Sequence, residues 1–220
     1  MTPSNIAFIF DMDGVIVDSN PTHTQAWTRY LDQHGIQSSD IETRMLGKRN
    51  DDIVRDFFSH LALTDDVVFQ HGARKEEMFR DMIKPDLDDR LVPGITDFLE
   101  HYRNLPIGLA TNAERANVDF ILDSAGIRPY FRAIVDGHEV DRPKPYPDVY
   151  LKVAEKLGVA PGSCIVFEDS LTGVQAAQGA GMRVVGIRTS LDEFPKVDLT
   201  ISHFQDPELE RWLQSIFTPA

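Results

Sequence analysis

The feature that most constrains the fold is a set of short runs made almost entirely of apolar residues, separated by helical patterns. Runs of this kind are typical of strands that are buried on both faces of a parallel sheet. Strands that alternate with helices predict an α/β domain with right-handed connections. The predicted strands are Ile6–Phe10, Ile107–Ala110, Cys164–Phe167, Val184–Ile187 and, with a weaker pattern, Leu199–Ile201.

The alternation is interrupted early in the chain, where the pattern from about Asn20 to Lys84 is helical and polar, with no convincing strand. A first helix is predicted to begin at Asn20-Pro21, with Asn20 as its N-cap. Amphipathic patterns predict two more helices, around Ile53–Phe58 and over Val67–Met82. A crossover connection of unusual length is one interpretation of this segment. We favour a small all-helical cap, residues 19–85, inserted after the first strand of a core made of residues 1–18 and 86–220.

Charge and composition limit the partners of the chain. The formal net charge of −13 argues against duplex nucleic acid or an anionic membrane, because either would favour a basic face. Cys164 is the only cysteine, which excludes an intramolecular disulfide and favours the reducing cytoplasm. Residues 1–10 lack the features of a signal peptide, and no run is long enough to cross a bilayer.

Acidic pairs follow two of the predicted strands. Asp11 and Asp13 come after the first strand, and Glu168-Asp169 comes after the third strand along the chain. Ligands of α/β sheets bind outside the carboxyl ends of the strands, and carboxylates two residues apart on extended backbone point to the same side. Such pairs would repel each other unless a cation lay between them, and Mg²⁺ binds carboxylate and phosphate oxygens. Asp169-Ser170 also fits a plain helix cap, whereas the residues after Asp13 do not follow the pattern of an EF-hand calcium loop.

Two further segments carry groups suited to an anionic ligand. Thr111-Asn112 follows the second predicted strand at the expected start of a helix, where a hydroxyl and backbone amides form an anion site. Lys144 lies between prolines and could supply the positive charge that the acidic chain otherwise lacks. A plain N-cap and a solvated surface lysine are the simpler interpretations of these two segments.

Taken in order, these segments resemble the haloacid dehalogenase superfamily, and most of all its β-phosphoglucomutase-like subgroup. Each motif is weak alone, but the ordered set covers most of the chain. The resemblance implies a Rossmann-like parallel sheet core with a small helical cap, and His23-x-x-x-Trp27 also has counterparts in the subgroup. The four motifs are Asp11-x-Asp13-Gly14-Val15-x-x-Asp18, Thr111-Asn112, Lys144-Pro-x-Pro-Asp148 and Glu168-Asp169-Ser170-x-x-Gly173.

The resemblance also implies roles for the motif residues. Asp11 would be the nucleophile that takes the phosphoryl group, and Asp13 would be the general acid and then the general base. Thr111 and Lys144 would hold the transferring phosphoryl group. The implied Mg²⁺ ligands are Asp11, the backbone carbonyl of Asp13, Glu168 and Asp169, and the implied substrate-binding residues are His23, Arg49, Lys75, Asn112 and Arg115.

Departures from the subgroup bear on the reaction. Its mutases carry a Ser-Lys-Asn-like set where this chain has Ala113-Glu114-Arg115, and a glutamate should repel the distal phosphate of a sugar bisphosphate. Gly47-Lys48-Arg49-Asn50 resembles the mutase phosphate loop with its arginine displaced by one position. We therefore expect Mg²⁺-dependent hydrolysis of a small sugar or polyol phosphate monoester, with β-phosphoglucomutase as the alternative.

Two other classes are less consistent with the residues. A dehalogenase needs neither a proton donor at Asp13 nor the metal-binding pair Glu168-Asp169. A non-enzymatic phospho-receiver domain also groups aspartates, a threonine and a lysine around Mg²⁺. Receiver domains are shorter, lack a helical insertion and carry their phosphorylated aspartate later in the chain. The expected partner is thus a small phosphorylated metabolite.

Overall fold

The computed structural model describes residues 6–45 and 48–217. Six parallel strands form one sheet in the order β3-β2-β1-β4-β5-β6, which confirms the predicted α/β fold. The strands are β1 (Ala7–Phe10), β2 (Ile107–Ala110), β3 (Ala133–Val135), β4 (Cys164–Glu168), β5 (Arg183–Ile187) and β6 (Leu199–Ile201).

Helices connect most of these strands and cover both faces of the sheet, whereas β5 is followed directly by β6. Among the described residues, no helix combines the length and the apolar character needed to cross a bilayer. The helices are α1 (Asn20–Gln33), α2 (Ile41–Met45), α3 (Asn50–Phe57), α4 (Asp65–Ile83), α5 (Leu87–Arg90), α6 (Ile95–His101), α7 (Arg115–Ser124), α8 (Asp148–Leu157), α9 (Leu171–Gly179) and α10 (Pro207–Phe217).

Strand β1 forms the centre of the sheet and is fully buried. Side chains alternate across a strand, so Phe8 and Phe10 belong to the hydrophobic cluster on one face, and Ala7 and Ile9 belong to the cluster on the other. The stacked rings of Phe10 and Phe167 join β1 to β4. Burial on both faces explains why these strands lack polar positions and are recognisable as continuous apolar runs.

The helices between Asn20 and Ile83 have a hydrophobic cluster of their own, which includes Trp27, Phe57 and Phe58. Phe79 and Ile83 instead pack into the cluster that contains Phe8 and Phe10, on one face of the sheet. The division into a cap of residues 19–85 and a core of residues 1–18 and 86–220 remains a prediction. The short helix α2 lies in a segment for which the sequence predicts no helix.

The start of α1 differs from the prediction. Ser19, and not Asn20, precedes the helix, and no side chain caps it. Asn20 is the first residue of α1, and its amide donates to Asp169 Oδ2 at 3.1 Å. The side chain that a sequence pattern assigns to a helix cap therefore joins α1 to the carboxyl end of β4.

Candidate active site

The carboxyl ends of β1, β2 and β4 border a cavity that is closed from the other side by residues of α1, α3 and α4. The cavity is lined by the motif residues Asp11, Asp13, Thr111, Lys144 and Asp169. Segments that are far apart in sequence meet here because β1 lies between β2 and β4.

Asp11 follows directly after the last residue of β1. Its backbone amide donates to the Phe167 carbonyl at 3.1 Å, which extends the pairing of β1 with β4 by one residue. Its side chain accepts a hydrogen bond from the Met12 amide at 2.8 Å and lies 3.0 Å from Lys144 Nζ. Burial raises the pKa of Asp11 to about 7, although the charge of Lys144 acts in the opposite direction.

Lys144 is almost fully buried and bridges two carboxylates. Its ammonium group lies 2.6 Å from Glu168 Oε1 and 3.0 Å from Asp11 Oδ1. Its backbone amide donates to the Asn112 side chain at 3.2 Å, so the end of β2 helps to position it. Burial alone would lower the pKa of Lys144, but the negative charges of Asp11 and Glu168 raise it overall.

Glu168 is completely buried, and both of its oxygens accept hydrogen bonds. Oε1 accepts from Lys144 and from the Tyr150 hydroxyl, each at 2.6 Å. Oε2 accepts from the Asp169 amide and from the amide and hydroxyl of Ser170 at 2.9–3.0 Å. A Cβ atom at Gly173 would lie 1.7 Å from Glu168 Oε1, so the glycine makes room for this carboxylate.

Asp11, Glu168 and Asp169 form the acidic cluster suited to a metal ion, with one carboxylate oxygen of each lying within 4.8 Å of the others. Asp169 Oδ2 also accepts hydrogen bonds from Asn20 and Ser190. Burial and the negative charges of Glu168 and Asp11 raise the pKa of Asp169 well above its usual range. This repulsion, together with a donor set made only of oxygens, fits a hard divalent cation such as Mg²⁺.

Asp13 lies at the same end of the sheet but in a different electrostatic environment. Its Oδ1 accepts a hydrogen bond from the Ser19 hydroxyl at 2.5 Å and lies 3.4 Å from His23 Nε2. Burial favours a raised pKa, but the contacts with His23 and Ser19 and the charge of Lys75 lower the pKa of Asp13 overall. The two aspartates of the first motif thus differ in pKa, which suits them to different chemical tasks.

Thr111 and Asn112 lie at the carboxyl end of β2, but not in the first turn of a helix. Helix α7 begins at Arg115, with Glu114 as its N-cap residue. The Thr111 hydroxyl accepts a hydrogen bond from the Ala113 amide at 3.1 Å. The argument for an anion site at a helix N-terminus therefore does not apply directly, although Thr111 and Asn112 both line the cavity.

Three of the five residues predicted to bind substrate line the cavity: His23, Lys75 and Asn112. The ring of His23 stacks on Phe79, with 3.6 Å between the centroids, and its Nδ1 lies 3.1 Å from Lys75 Nζ. An ammonium group can only donate, so Nδ1 is the acceptor of this hydrogen bond. Lys75 is buried above the ring of Trp27, at 4.9 Å from its centroid.

The structure does not bring the two predicted arginines into the cavity lining. Arg115 pairs with Asp119 at 2.8 Å on α7, and its side chain is 53% exposed. Arg49 contacts His138 Nδ1 at 3.2 Å. Of the segment that resembles a phosphate loop, Gly47 lies outside the described residues, whereas Lys48 and Asn50 line the cavity.

Several residues that shape the site carry no sequence signal of their own. Tyr150 belongs to the apolar stripe of α8, and only the fold places its hydroxyl beside Glu168. Ser190, which contacts Asp169, follows β5 and belongs to none of the four motifs. Glu76 and Asn117 meet across the boundary between α4 and α7, at 2.8 Å. A polar residue on the buried face of a predicted helix is the signal that could have identified the last two.

Comparison with known proteins identifies the family of this chain and agrees with its fold. A profile of the haloacid dehalogenase-like hydrolases matches residues 7–181. A fructose-1-phosphate phosphatase of Escherichia coli is 34% identical over 182 residues, which cover 82% of this chain and 95% of that protein. A β-phosphoglucomutase of Mycobacterium bovis is 31% identical over 208 residues, covering 81% of this chain and 79% of that protein.

A solved structure is similar over almost the whole length. The β-phosphoglucomutase of Clostridium difficile superposes with a TM-score of 0.84, covering 99% of this chain and 97% of that one. Its identity of 24% means that this likeness concerns the fold alone. The family profile and the curated relatives go further and confirm the resemblance seen in the four motifs. This chain belongs to the haloacid dehalogenase-like hydrolases and is an enzyme of that family.

Proposed function

We propose that this enzyme hydrolyses the phosphate monoester of a small sugar or polyol, through a phosphoaspartate on Asp11 and with Mg²⁺ as its cofactor. The observation that carries the proposal is the contact of Asp11 with Lys144 at 3.0 Å, beside the acidic cluster of Glu168 and Asp169. A carboxylate can attack an anionic phosphate only where positive charge offsets the repulsion between them. The named activity of the Escherichia coli relative is consistent with this substrate class.

In the first step, the Asp11 carboxylate attacks phosphorus and the bond to the leaving oxygen breaks. Lys144 and Thr111 would hold the transferring phosphoryl group, and Lys144 also offsets the charge of Asp11. Mg²⁺, when bound, would supply further positive charge to the phosphoryl oxygens. Its proposed ligands are Asp11, Asp169, the backbone carbonyl of Asp13 and Glu168.

Glu168 differs from the other proposed ligands because its two oxygens already have partners. Lys144 and Tyr150 donate to one oxygen, and Asp169 and Ser170 donate to the other. Asp11 and Asp169 have fewer such bonds, so we expect them to make the main carboxylate contacts with the metal. Glu168 would then act mainly by holding Lys144 and by adding negative charge to the metal site.

Asp13 would protonate the leaving alcohol and then take a proton from the water that attacks the phosphoaspartate. The contacts of Asp13 with His23 and Ser19 lower its pKa, and so favour the ionised form that serves as the base. A bound phosphate dianion would raise the pKa of Asp13 through its negative charge and favour the acid form. His23 connects Asp13 to Lys75, which keeps the hydrogen-bonded side chain in one orientation.

Hydrolysis and mutase chemistry differ in what attacks the phosphoaspartate. Relatives of both kinds resemble this chain, so the family alone does not separate the two reactions. Glu114 lines the cavity where the mutases carry a lysine, and it favours the release of the alcohol after the first step over the retention of a sugar bisphosphate. We therefore propose water as the attacking group and β-phosphoglucomutase activity as the second candidate.

Two measurements test the proposal together. A panel of sugar and polyol monophosphates is incubated with the enzyme, with Mg²⁺ or with excess chelator, and the release of inorganic phosphate is recorded. In parallel, borohydride added during turnover should reduce an acyl phosphate on Asp11 to homoserine, which mass spectrometry detects in the peptide containing that residue. Phosphate release without any change at Asp11, or no release from the whole panel, would contradict the proposal.

A further inference from the structure

A second group of polar and charged residues borders the same cavity and takes no part in the proposed transfer of the phosphoryl group. Glu76 and Asn117 are buried, and Glu114 is largely buried, with 16% of its side chain exposed. Behind them, Arg80 donates to Glu114 Oε1 at 3.1 Å and to Asn117 Oδ1 at 2.7 Å. Asn117 in turn donates to Glu76 Oε2 at 2.8 Å. We call these four residues, Glu76, Arg80, Glu114 and Asn117, the acidic wall.

The acidic wall lies on the side of the cavity where the leaving alcohol is expected. Asp13, which would protonate the leaving oxygen, lies 3.4 Å from His23 Nε2. The other ring nitrogen of His23 accepts a hydrogen bond from Lys75, and Lys75 pairs with Glu76 at 2.5 Å, so a line of contacts runs from Asp13 through His23 and Lys75 to the wall. Since Asp13, Glu76, Glu114 and Asn117 all line this one cavity, an alcohol bound with its oxygen beside Asp13 would have these residues as neighbours.

The two cations beside the wall carboxylates, Arg80 and Lys75, already have partners and are not available to a second anion. Arg80 is shared between Glu114 and Asn117, and Lys75 pairs with Glu76 at 2.5 Å as well as with His23. Burial, followed by the negative charge of Glu76, raises the pKa of Glu114, because the two carboxylates face each other across the wall. A carboxylate or phosphate placed here would add to this repulsion.

Lys48 is a further cation at the edge of the cavity. Among the described lining residues, Lys48 is the lysine that neither the acidic wall nor the phosphoryl site engages. Its side chain is 44% exposed and lies 4.0 Å from Asp56. A charge as exposed as this is screened by solvent and would offset the two buried carboxylates only weakly.

Carboxylates suit a different partner, the hydroxyl group. A carboxylate only accepts hydrogen bonds and has about four acceptor sites, of which the contact with Arg80 uses one in Glu114. We propose that the acidic wall determines specificity for a monophosphate whose remaining part is an uncharged polyhydroxylated chain, and that it excludes substrates with a second phosphate or a carboxylate.

This inference rests on the proposed phosphatase activity, and matched substrates separate the two. Glucitol 6-phosphate and 6-phosphogluconate have the same chain length and differ at the end remote from the phosphate, where an alcohol replaces a carboxylate. Fructose 1,6-bisphosphate adds the comparison with a second phosphate, and p-nitrophenyl phosphate reports on phosphoryl transfer without such a chain. The kcat/KM for phosphate release is measured for each compound with Mg²⁺.

The wild-type enzyme should prefer glucitol 6-phosphate over both charged compounds by at least roughly 10-fold, as expected for one unfavourable buried charge contact. Glu114→Gln keeps the shape of the side chain and should reduce this preference, and Glu114→Lys should shift it roughly 10- to 100-fold toward the charged compounds. Glu155→Gln and Glu155→Lys are the matched controls, since Glu155 is an exposed residue of α8, and they should leave the ratio unchanged.

The outcomes are distinguishable. Equal use of the alcohol and the carboxylate by the wild type would overturn the inference, and so would an unchanged ratio in a folded Glu114→Gln enzyme. Cleavage of p-nitrophenyl phosphate without cleavage of glucitol 6-phosphate would also overturn it, because the expected chain is then not accepted. If the wild type releases phosphate from none of the four compounds, the proposed phosphatase activity itself fails.

Discussion

The ammonium group of Lys144 lies closer to Glu168 than to the proposed nucleophile Asp11, at 2.6 Å compared with 3.0 Å. The Tyr150 hydroxyl donates to the same oxygen of Glu168, at 2.6 Å. Lys144 is therefore positioned by Glu168, which Tyr150 also contacts, and neither residue takes part in the attack on phosphorus. Because two buried carboxylates share this one ammonium group, the same contact affects both the stability of the fold and the chemistry.

We predict that Lys144→Met abolishes phosphate release and also destabilises the protein. Removing the cation leaves Asp11 and Glu168 buried without their shared partner, and the loss of one member of a buried ion pair costs about 3–5 kcal/mol. Urea unfolding in metal-free buffer measures the free energy of unfolding. Lys84→Met, at an exposed lysine, is the control and should change neither property by much. Wild-type stability in Lys144→Met would contradict the electrostatic role assigned to the lysine.

Asp11→Asn should behave in the opposite way in the unfolding experiment. We expect it to abolish turnover, because an amide is a poor nucleophile, but to leave the metal-free fold at least as stable as the wild type. The pKa of Asp11 is raised from 3.8 to about 7, so its folded state holds a proton that its unfolded state releases within this range. The wild type should therefore lose stability relative to Asp11→Asn as the pH rises from about 4 to 7.

Thermal unfolding of the two proteins across this pH range, in chelator, tests the sign of the effect. The gap between their melting temperatures should widen up to about pH 7 and then stay constant. Added Mg²⁺ should raise the melting temperature of the wild type more than that of Asp11→Asn, because the variant has lost one proposed ligand. A gap that narrows with rising pH would show that burial does not penalise the charged form of Asp11.

The fold was predictable to the extent that each strand forms a long enough apolar run. Strand β3, Ala133–Val135, was not predicted because it has only three residues and follows directly after Arg132. It is also an edge strand, paired only with β2. The helical segment between Asn20 and Ile83 was predictable from its period, whereas the five-residue helix α2 is too short to show one.

The site was predictable only where its residues belong to local motifs. Asp11 and Asp169 are recognisable because Asp11 directly follows β1 and Asp169 directly follows β4, and both strands are buried. Tyr150 and Asn117 act through contacts between separate helices and strands, which no local pattern encodes. Arg115 illustrates the reverse case, a residue of a motif segment that does not line the cavity. It lies next to a cavity residue in sequence, but its position on α7 directs the side chain to Asp119.

Asp13→Asn should lower kcat by about 10²–10⁴-fold, the usual contribution of a general acid or base. A second variant separates this role from a structural one. Ser19→Ala removes a hydrogen bond that helps to lower the pKa of Asp13, so the acid limb of the pH–rate profile should move to higher pH while the enzyme stays active. An unchanged profile would mean that Asp13 does not control this limb.

Activity should require Mg²⁺ and be inhibited by Ca²⁺. Calcium prefers more oxygen ligands at longer distances, so it would draw the Asp11 carboxylate into a geometry that misaligns the attacking oxygen. Phosphate release is measured after chelation, after addition of Mg²⁺, and with increasing Ca²⁺ at constant Mg²⁺. Full release of phosphate in excess chelator would contradict the metal assignment, whereas chloride release from a 2-haloacid without any release of phosphate would indicate dehalogenase chemistry.

Finally, we predict that the enzyme releases inorganic phosphate from sugar monophosphates faster than it converts β-glucose 1-phosphate to glucose 6-phosphate. A mutase must retain a sugar bisphosphate while it turns over in the site, and each charge-assisted hydrogen bond that holds the distal phosphate is worth roughly 1.5–3 kcal/mol. Glu114 offers no such donor, and Arg80 is already paired with it at 3.1 Å. Arg115, the other candidate donor, pairs with Asp119 and does not line the cavity.

A coupled assay with glucose-6-phosphate dehydrogenase measures the isomerisation, and a parallel assay measures free phosphate in the same samples. The ratio of the two rates decides between the reactions, because both pass through the same phosphoaspartate and differ only in whether water or a sugar hydroxyl attacks it. Rapid isomerisation that is stimulated by a catalytic amount of glucose 1,6-bisphosphate, with little free phosphate, would identify a mutase. Donors other than Arg80 and Arg115 would then have to hold the distal phosphate. Lys48, at the edge of the cavity, would be the first residue to replace by mutation.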